Sequence, residues 1–390
     1  MNGKLGFGMM RLPIIDRSTK KNLPLNFNVV FDPNGNYDID HEAVCQMVDE
    51  FLKAGFTYFD TSYVYLNSKS EAATREALVK RHPRDSFTLA TKLPTFLIKS
   101  KDDAPKIFEQ QLANCGVEYF DYYLLHTLRG PLYDPVVQKF GLFEFASEMK
   151  RQGRIRHLGF SFHDSPELLD RILTEHPEAE FVQIPVSYYD WDSYFVRARR
   201  SYEVIRKHGK QLVIMQPVKG GLLAKAPADA ESLMRKFEPE LSTASWALRF
   251  AAGLDGVIAV LSGMSTLAQV EDNVKFMRDF KPLTAEERAI LPAVVELYKK
   301  SGPLHRADFS IYDGIASNGM PVAGLLDAYN SCMIQPDPTF ATENNYYDTE
   351  RYAAGIKGSW IEGALIDREG NDITETVRDA EAWLIEHSMV

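Results

Sequence analysis

The sequence predicts an α/β fold, a (β/α)8 barrel (TIM barrel) with a mainly helical C-terminal extension. Three observations predict it. Eight short apolar runs recur through the first 283 residues, amphipathic stretches separate them, and this rhythm stops after residue 283. Strands buried on both faces read as continuous apolar runs, and their alternation with helices is typical of a parallel sheet. Eight such repeats are the number that closes a barrel.

The predicted strands are rich in Val, Ile, Leu, Phe and Tyr. They span residues 3–10, 57–61, 87–92, 121–126, 156–162, 181–185, 211–217 and 256–263. The first helix follows Asp40, a typical N-cap, and its apolar residues recur at helical spacing up to Gly55. Further helices are predicted over 69–81, 104–115, 137–152, 165–175, 194–208, 242–252 and 267–279.

A doubly wound open sheet is the main alternative to the barrel. Open sheets that bind dinucleotides carry a G-x-G-x-x-G turn after their first strand. Here Gly6 and Gly8 are followed by Met, Met and Arg. The fingerprint is absent, so the sequence favours the closed barrel.

Two segments depart from the strand–helix rhythm. Residues 16–38 form an insertion, and its DPNG turn signal predicts a hairpin between NFNVVF and NYDID. The C-terminal segment predicts helices at 284–300, 321–332 and 377–387, with an irregular, aromatic-rich stretch at 334–363. We therefore divide the chain into a barrel, 1–283, and an extension, 284–390.

Composition narrows the classes of function. Hydrophobic residues make up 45% and charged residues 25% of the chain, as in ordinary globular proteins. The net charge of −10 argues against nucleic acid or an anionic membrane as the main partner. No apolar run has the ~20 residues of a membrane span. The 3 cysteines are far apart and the N-terminus has no long apolar run, which predicts a reducing, cytoplasmic location.

Four polar residues lie at or just beyond the ends of successive predicted strands: Asp60, Tyr65, Lys92 and His126. Catalytic groups of such barrels lie at the carboxyl ends of the strands. Each residue alone has a structural explanation, as a loop cap, an ordinary tyrosine, a lone lysine or a hydrogen-bonded core histidine. Together they form a set suited to proton transfer: a carboxylate, a phenol, an ammonium and an imidazole.

The segments DTSYVY, ATK and YYLLH resemble the aldo-keto reductase superfamily, in order and over about residues 3–280. The resemblance implies NAD(P)H-dependent interconversion of a carbonyl (aldehyde or ketone) and an alcohol, with Asp60, Tyr65, Lys92 and His126 as the catalytic tetrad. Tyr65 is then the general acid and base, and Lys92 lowers the pKa of its phenol. Asp60 pairs with Lys92, and His126 orients the carbonyl.

The resemblance also implies a nicotinamide cofactor site. Ser161 and Gln183 correspond to the residues that hold the carboxamide, and Met215 replaces the stacking aromatic. Phe162 stands where many members have Asn, so that contact is lost or moved to His163. The pyrophosphate loop comprises Pro217, Lys219, Gly220, Gly221 and Leu222, and the adenosine-phosphate segment contains Gly263, Ser265, Gln269, Asp272 and Asn273. NADP(H) is favoured over NAD(H), although Met264 and Gln269 stand where a basic residue is common.

The extension resembles that of bacterial aldo-keto reductases with a ferredoxin-like module, for instance in GMPVAGLLDAYNSCM (319–333). Those relatives bind a [4Fe–4S] cluster through four cysteines. This extension contains only Cys332, so we expect no iron–sulfur cluster.

Two other functions stay open beside a carbonyl reductase. The changes at Phe162 and Met215 leave room for a regulatory nucleotide-binding protein. A metal-dependent hydrolase on the same barrel needs clustered ligands, but the sequence has no H-x-H or H-E-x-x-H, and we expect no metal site. The expected partner is a small carbonyl or alcohol substrate, in a pocket lined by Tyr63, residues 127–133, residues 188–194 and aromatics of the extension. The substrate and the oligomeric state are not determined by the sequence.

Overall fold

The computed structural model describes residues 3–24 and 35–387, and it confirms the predicted barrel. The eight strands are β1 Leu5–Gly8, β2 Tyr58–Asp60, β3 Thr88–Pro94, β4 Phe120–Leu128, β5 Ile155–Phe162, β6 Phe181–Pro185, β7 Gln211–Met215 and β8 Val257–Ser262. Each strand pairs in parallel with the next along the chain, and β8 pairs with β1 to close the ring.

A helix follows each strand. These helices are α1 His41–Lys53, α2 Ser70–Thr74, α3 Asp103–Cys115, α4 Leu142–Arg151, α5 Pro166–Glu175, α6 Ala198–Lys207, α7 Thr243–Ala252 and α8 Leu267–Arg278. The predicted N-cap is confirmed, since the Asp40 carboxylate accepts a hydrogen bond from the Ala43 N–H at 3.1 Å. Further helices occur at Tyr65–Ser68, Gly130–Leu132 and Ala228–Arg235.

Two predicted helices differ from the structure in their geometry. The helix predicted over 69–81 continues from α2 into a π-helical turn at Arg75–Val79. The helix predicted over 137–152 starts only at Leu142, because Gly141, with a φ of 65°, separates it from a π-helical turn at Tyr133–Gln138.

The barrel interior has its own apolar core. It contains Tyr58, Ala90, Tyr122, Leu124, Phe181, Val213, Ile258, Ala259 and Leu261. Because side chains alternate between the two faces of a strand, the next inward-facing position toward each carboxyl end follows two residues later. Those positions are Asp60, Lys92, His126, Gln183 and Met215. The two-residue period of the strands therefore places the polar side chains of Asp60, Lys92, His126 and Gln183 on the carboxyl-terminal side of the apolar core.

A larger core lies between the strands and the helices. On α1, the apolar stripe predicted from the sequence buries Val44, Met47, Val48 and Phe51. The Phe51 ring packs edge-on against Phe7 of β1, with ring centres 5.3 Å apart. Burying each such side chain contributes about 1.5–3 kcal/mol, so these contacts hold the helix against the ring of strands.

The described parts of the insertion belong to a small antiparallel sheet. Its central strand, Ile14–Asp16, pairs with Asn22–Leu23 on one side and with Tyr37–Ile39 on the other. NYDID therefore pairs with Ile14–Asp16. The predicted partner NFNVVF lies outside the described residues.

The extension contains α9 Ala285–Lys300, α10 Val322–Met333, α11 Thr342–Ala353 and α12 Thr374–Glu386. The prediction of an irregular 334–363 segment is wrong at α11. Its Asn- and Tyr-rich sequence is a poor helix former, but most of its residues are buried, and tertiary packing overrides propensity. Within the described residues, no helix has the combined length and apolar character needed to cross a bilayer. The division of the chain at residue 283 stays a prediction.

Candidate active site

A cavity of about 1170 Å³ opens at the carboxyl ends of the strands. Residues at or beyond the ends of all eight strands line it, and the extension adds Thr339, Asn345, Glu386 and His387. Binding sites of such barrels are built from the loops at this face. The cavity exceeds the ~300–1,000 Å³ typical of a single ligand site, so it has room for more than one small molecule.

A buried ion pair joins Asp60, which lines this cavity, to Lys92 behind it. The Lys92 ammonium donates to Asp60 Oδ1 at 2.5 Å and to the Thr61 carbonyl at 2.8 Å. Burial opposes the charge on Lys92, but Asp60 and Tyr65 raise its pKa above the usual value. Burial raises the pKa of the Asp60 carboxyl, and the ammonium opposes that shift. Lys92 is therefore a cation held at a fixed place.

Tyr65 lies beside this pair. The Lys92 ammonium is 4.7 Å from the centre of the Tyr65 ring, and the ring lies edge-on to His126 with centres 5.9 Å apart. The sequence predicts that Lys92 lowers the pKa of this phenol. The structure corrects the net direction: burial raises the pKa of Tyr65, Asp60 adds to the rise, and Lys92 only offsets part of it. The phenol is therefore protonated at neutral pH.

His126 is the fourth member of the predicted tetrad. Its Nδ1 lies 3.2 Å from the Ser62 hydroxyl, and its backbone carbonyl accepts a hydrogen bond from Thr95 Oγ1 at 2.6 Å. Burial lowers the pKa of His126 well below its usual value, and the nearby Lys92 and His163 add to this. The imidazole is thus neutral at physiological pH. The structure brings all four predicted residues together.

A polar network behind Lys92 was not predicted. The buried Glu71 carboxylate accepts hydrogen bonds from Thr91 at 2.7 Å, Gln111 at 2.9 Å and Asn114 at 2.9 Å. Gln111 also donates to the Lys92 carbonyl at 3.0 Å. These contacts fix the backbone of β3 at Lys92. They join residues 19 to 43 positions apart, and no local sequence pattern signals them.

All but two of the predicted cofactor residues line the cavity. Those that do are Gln183, Met215, Pro217, Lys219, Gly220, Gly221, Gly263, Ser265, Gln269, Asp272 and Asn273. Ser161 and Leu222 are not in the lining. The Ser161 hydroxyl accepts a hydrogen bond from the Thr127 N–H at 2.7 Å, and Leu222 belongs to the core between strands and helices.

Several features of the cavity near Gln183 and the turn at Gly220 and Gly221 suit a nucleotide. Gln183 Oε1 is buried without a hydrogen-bond partner among the described residues, while its Nε2 lies 3.5 Å from the Met215 sulfur. Gly220 and Gly221 have φ angles of 63° and 101°, in the left-handed region that favours glycine. The unpaired Gln183 oxygen can accept a hydrogen bond from an amide N–H of a ligand, and the backbone N–H groups of a glycine turn can donate to a phosphate.

Two basic residues of the cavity lining, Lys219 and Arg11, were not placed correctly by the sequence. Lys219 is fully buried and forms ion pairs with Asp190, at 2.5 Å, and with Glu343 of α11. Its ammonium is thus committed to carboxylates, and its backbone is the part left for a ligand. Arg11, which sequence reasoning missed, packs against Gly263, where an added Cβ would lie 3.0 Å from Arg11 Cδ. Its place directly after the first strand was the available signal.

The predicted substrate pocket is only partly right. Thr127 and Arg129 line the cavity, and so does His163. Tyr63 and residues 188–194 do not line it. Tyr189 is instead buried under the extension, where its hydroxyl lies 2.9 Å from Ser331 Oγ.

Comparisons with known proteins agree with this geometry. The uncharacterized oxidoreductase YqkF of Bacillus subtilis is 24% identical over 272 residues, covering 62% of this chain and 84% of that protein. L-galactose dehydrogenase of Arabidopsis thaliana is 23% identical over 282 residues, covering 65% and 86%. The structure of aldo-keto reductase AKR11C1 from Bacillus halodurans (holo form) superposes with a TM-score of 0.55 at 25% identity, covering 75% of this chain and 91% of that one.

A family model, described as the aldo/keto reductase family, matches residues 33–296, which is more than half of the chain. With the barrel and the named oxidoreductase relatives, this match assigns the general chemistry as oxidoreduction of carbonyl and alcohol groups. The chain belongs to the aldo/keto reductase family.

Proposed function

We propose that the protein is an NAD(P)H-dependent reductase that interconverts an aldehyde or ketone and its alcohol, with Tyr65 as general acid and base. One observation carries the proposal: the charged Lys92, held by Asp60, lies 4.7 Å from the ring centre of Tyr65, and Asp60, Tyr65 and His126 line one cavity. A phenol next to a fixed cation is suited to give up and recover a proton.

In the reductive direction, the carbonyl carbon gains a hydride and the carbonyl oxygen takes the proton of Tyr65. When bound, the reduced nicotinamide supplies the hydride and is itself oxidised. Tyr65 is poised as the acid because its raised pKa keeps it protonated. The Lys92 ammonium stabilises the phenolate that remains after the transfer. In the oxidative direction the phenolate accepts the proton of the alcohol.

The neutral His126 would orient the carbonyl. We assign the Ser62 hydroxyl as the donor to His126 Nδ1, which leaves the proton of the ring on Nε2. A neutral imidazole then donates a hydrogen bond to the carbonyl oxygen, where negative charge develops during hydride addition.

The cofactor would lie along β6, β7, β8 and β1. The free oxygen of Gln183 suits the carboxamide, and the turn at Gly220 and Gly221 suits the pyrophosphate. We favour NADP(H) over NAD(H). The cations of Arg11 and Lys225 in the lining support this preference, whereas the Asp272 carboxylate, 2.6 Å from the Ser242 hydroxyl, acts against it.

A catalytically weak or regulatory nucleotide-binding protein is the second candidate. It is supported by Phe162, which is buried in the core and offers no amide, and by Met215 in place of an aromatic. The two candidates differ in whether bound cofactor reduces a carbonyl.

Fluorescence titration with NADPH and NADH, followed by a panel of aldehydes and ketones monitored at the reduced-cofactor absorbance, tests the proposal. We expect both nucleotides to bind, NADPH more tightly, and at least one carbonyl to be reduced. Binding without turnover of any carbonyl would favour the regulatory candidate. Failure of both nucleotides to bind would contradict both candidates.

A further inference from the structure

The cavity divides into two sides according to the order of the strands. The residues expected to contact the nucleotide phosphates follow β7 and β8, and Arg11 follows β1. In the ring, β4 lies opposite β8. The residues that follow β4 and β5 therefore face the other side of the cavity, next to His126. This side is where a substrate would lie beside the proposed acid.

Among the described residues that line that side, Arg129 is the one arginine and there is no lysine. It follows β4 directly and lines the cavity. Its Nε is buried and has no hydrogen-bond partner among the described residues. Burial lowers the pKa of its guanidinium, while Asp348 and Asp164 oppose this. An arginine stays protonated through such a shift, so Arg129 presents a charged, donor-rich group to the cavity.

The two neighbouring carboxylates use other groups for their own contacts. Asp164 accepts hydrogen bonds from the N–H groups of Gly130, at 2.6 Å, and Ser165, at 2.5 Å. Asp348 lies 3.5 Å from the Arg351 guanidinium in an ion pair. Both carboxylates therefore offset the positive charge of Arg129. Neither accepts a hydrogen bond from its guanidinium among the described contacts.

His163 connects Arg129 to the proposed catalytic centre. The His163 backbone N–H donates to the Leu128 carbonyl at 3.2 Å, which places His163 next to Arg129, and His126, His163 and Arg129 all line the cavity. Burial lowers the pKa of His163 to about 4, so its ring is neutral, and its buried Nδ1 has no hydrogen-bond partner among the described residues. Next to His126, this wall of the cavity therefore carries the neutral ring of His163, with its unpaired nitrogen, and the guanidinium of Arg129.

We propose that this wall selects carbonyl substrates that carry a carboxylate, with Arg129 binding the carboxylate and His163 lying between it and the reacting carbonyl. The inference rests on the proposed function and names its substrate class: oxo acids in reduction, hydroxy acids in oxidation. A guanidinium matches a planar carboxylate with two parallel hydrogen bonds. The single positive charge of Arg129 is balanced by a single carboxylate. A phosphate dianion would meet more repulsion from Asp164 and Asp348.

The test compares each acid with its neutral methyl ester. The probes are 4-formylbenzoate and succinate semialdehyde, which differ in reach, and their esters. We expect the unaltered protein to have a higher kcat/KM for at least one acid than for its ester. In Arg129→Met we expect this acid-to-ester ratio to fall about 30-fold, mainly through KM, as for a lost hydrogen bond to a charged group. Arg129→Lys, which keeps the charge but not the fork, should fall between.

Arg151→Met is the matched control, because Arg151 lies on the outer face of α4 and pairs only with Glu148 in the described contacts. It should leave the ratio unchanged. Equal losses for acid and ester in Arg129→Met, or an unaltered protein that prefers both esters, would overturn the inference while the proposed reductase function stands. Thermal unfolding of each variant separates these results from misfolding.

A binding measurement keeps the inference testable if no carbonyl at all is reduced, which would contradict the proposed function. 4-Methylbenzoate, a monocarboxylate without a reducible carbonyl, is titrated into the protein by calorimetry. Binding that weakens about 30-fold in Arg129→Met but not in Arg151→Met supports the carboxylate site. Equal binding by both variants, or no binding to the unaltered protein, overturns it.

Discussion

The Lys92 ammonium lies 2.5 Å from Asp60 Oδ1, and neither side chain exposes more than 3% of its surface. The two residues come from neighbouring strands and are 32 positions apart in the chain. A buried ion pair of this kind recovers its desolvation cost only when its geometry is good. Its position beside Tyr65 connects the pair to the proposed proton transfer.

Breaking this pair should destabilise the protein strongly. Lys92→Met leaves the Asp60 carboxylate buried without its partner, and we expect a loss of about 3–5 kcal/mol in the free energy of unfolding. The double variant Asp60→Asn/Lys92→Met removes both charges and should lose less than Lys92→Met alone. Urea denaturation measures both. A double variant that loses as much as Lys92→Met, or more, would contradict this dependence of each charge on the other.

Removal of the phenol hydroxyl should separate catalysis from binding. In Tyr65→Phe we expect carbonyl reduction to fall by about 10²–10⁴-fold, the usual contribution of a general acid. The affinity for NADPH, measured by fluorescence titration, should stay near that of the unaltered protein. An equal loss of nucleotide affinity would mean that Tyr65 has a structural role.

The raised pKa of Tyr65 predicts the pH dependence of the reaction. The phenol must be protonated to act as the acid, so kcat for reduction should be flat from about pH 6 to about pH 9 and fall only above about pH 10. Oxidation of the alcohol needs the phenolate and should rise with pH over the same range. Steady-state rates in both directions measure this. A loss of reduction between about pH 6 and 8 would point to a different acid.

The ion pairs of Lys219 predict how the extension is held. Lys219→Met leaves Asp190 and Glu343 buried side by side, and we expect a loss of about 3–5 kcal/mol in the free energy of unfolding. Glu343→Gln should cost less, because the pair of Lys219 and Asp190 remains. Lys207→Met, which breaks an exposed pair with Asp170, is the control and should cost under about 1 kcal/mol. If Lys219→Met matches that control in denaturation, the buried pairs contribute little.

The extension should contain no iron–sulfur cluster, since Cys332 is its single cysteine. Iron and sulfide analysis of anaerobically purified protein should find neither in stoichiometric amount. Stoichiometric iron and sulfide would require ligands other than cysteines of the extension.

Much of the fold was predictable because it leaves a local record. A strand buried on both faces must be apolar throughout, and a helix on the barrel surface must be apolar on one side. These patterns located all eight strands. The grouping of Asp60, Tyr65, Lys92 and His126 was predictable from polar residues at or just beyond strand ends, since the barrel brings those ends to one face; their role as a catalytic tetrad stays a prediction from the family resemblance. The helix α11 was missed because its burial under tertiary contacts, rather than its own sequence preference, makes it helical.

By itself, the sequence determined the barrel and the family to which the chain belongs. It also placed Asp60 at the end of its strand and Lys92 and His126 near the ends of theirs, although β3 and β4 continue to Pro94 and Leu128. Only the tertiary structure decided that the Lys219 ammonium pairs with carboxylates and is not available to a ligand in the cavity. It also decided that burial outweighs Lys92 in setting the pKa of Tyr65, and that Arg129 and His163 both line the cavity. The reason is physical. The periodicity of apolar residues reflects contacts that recur at every helical turn or along every strand, so it can be read from the local sequence. Charge balance and desolvation depend on which residues from distant segments of the chain come together.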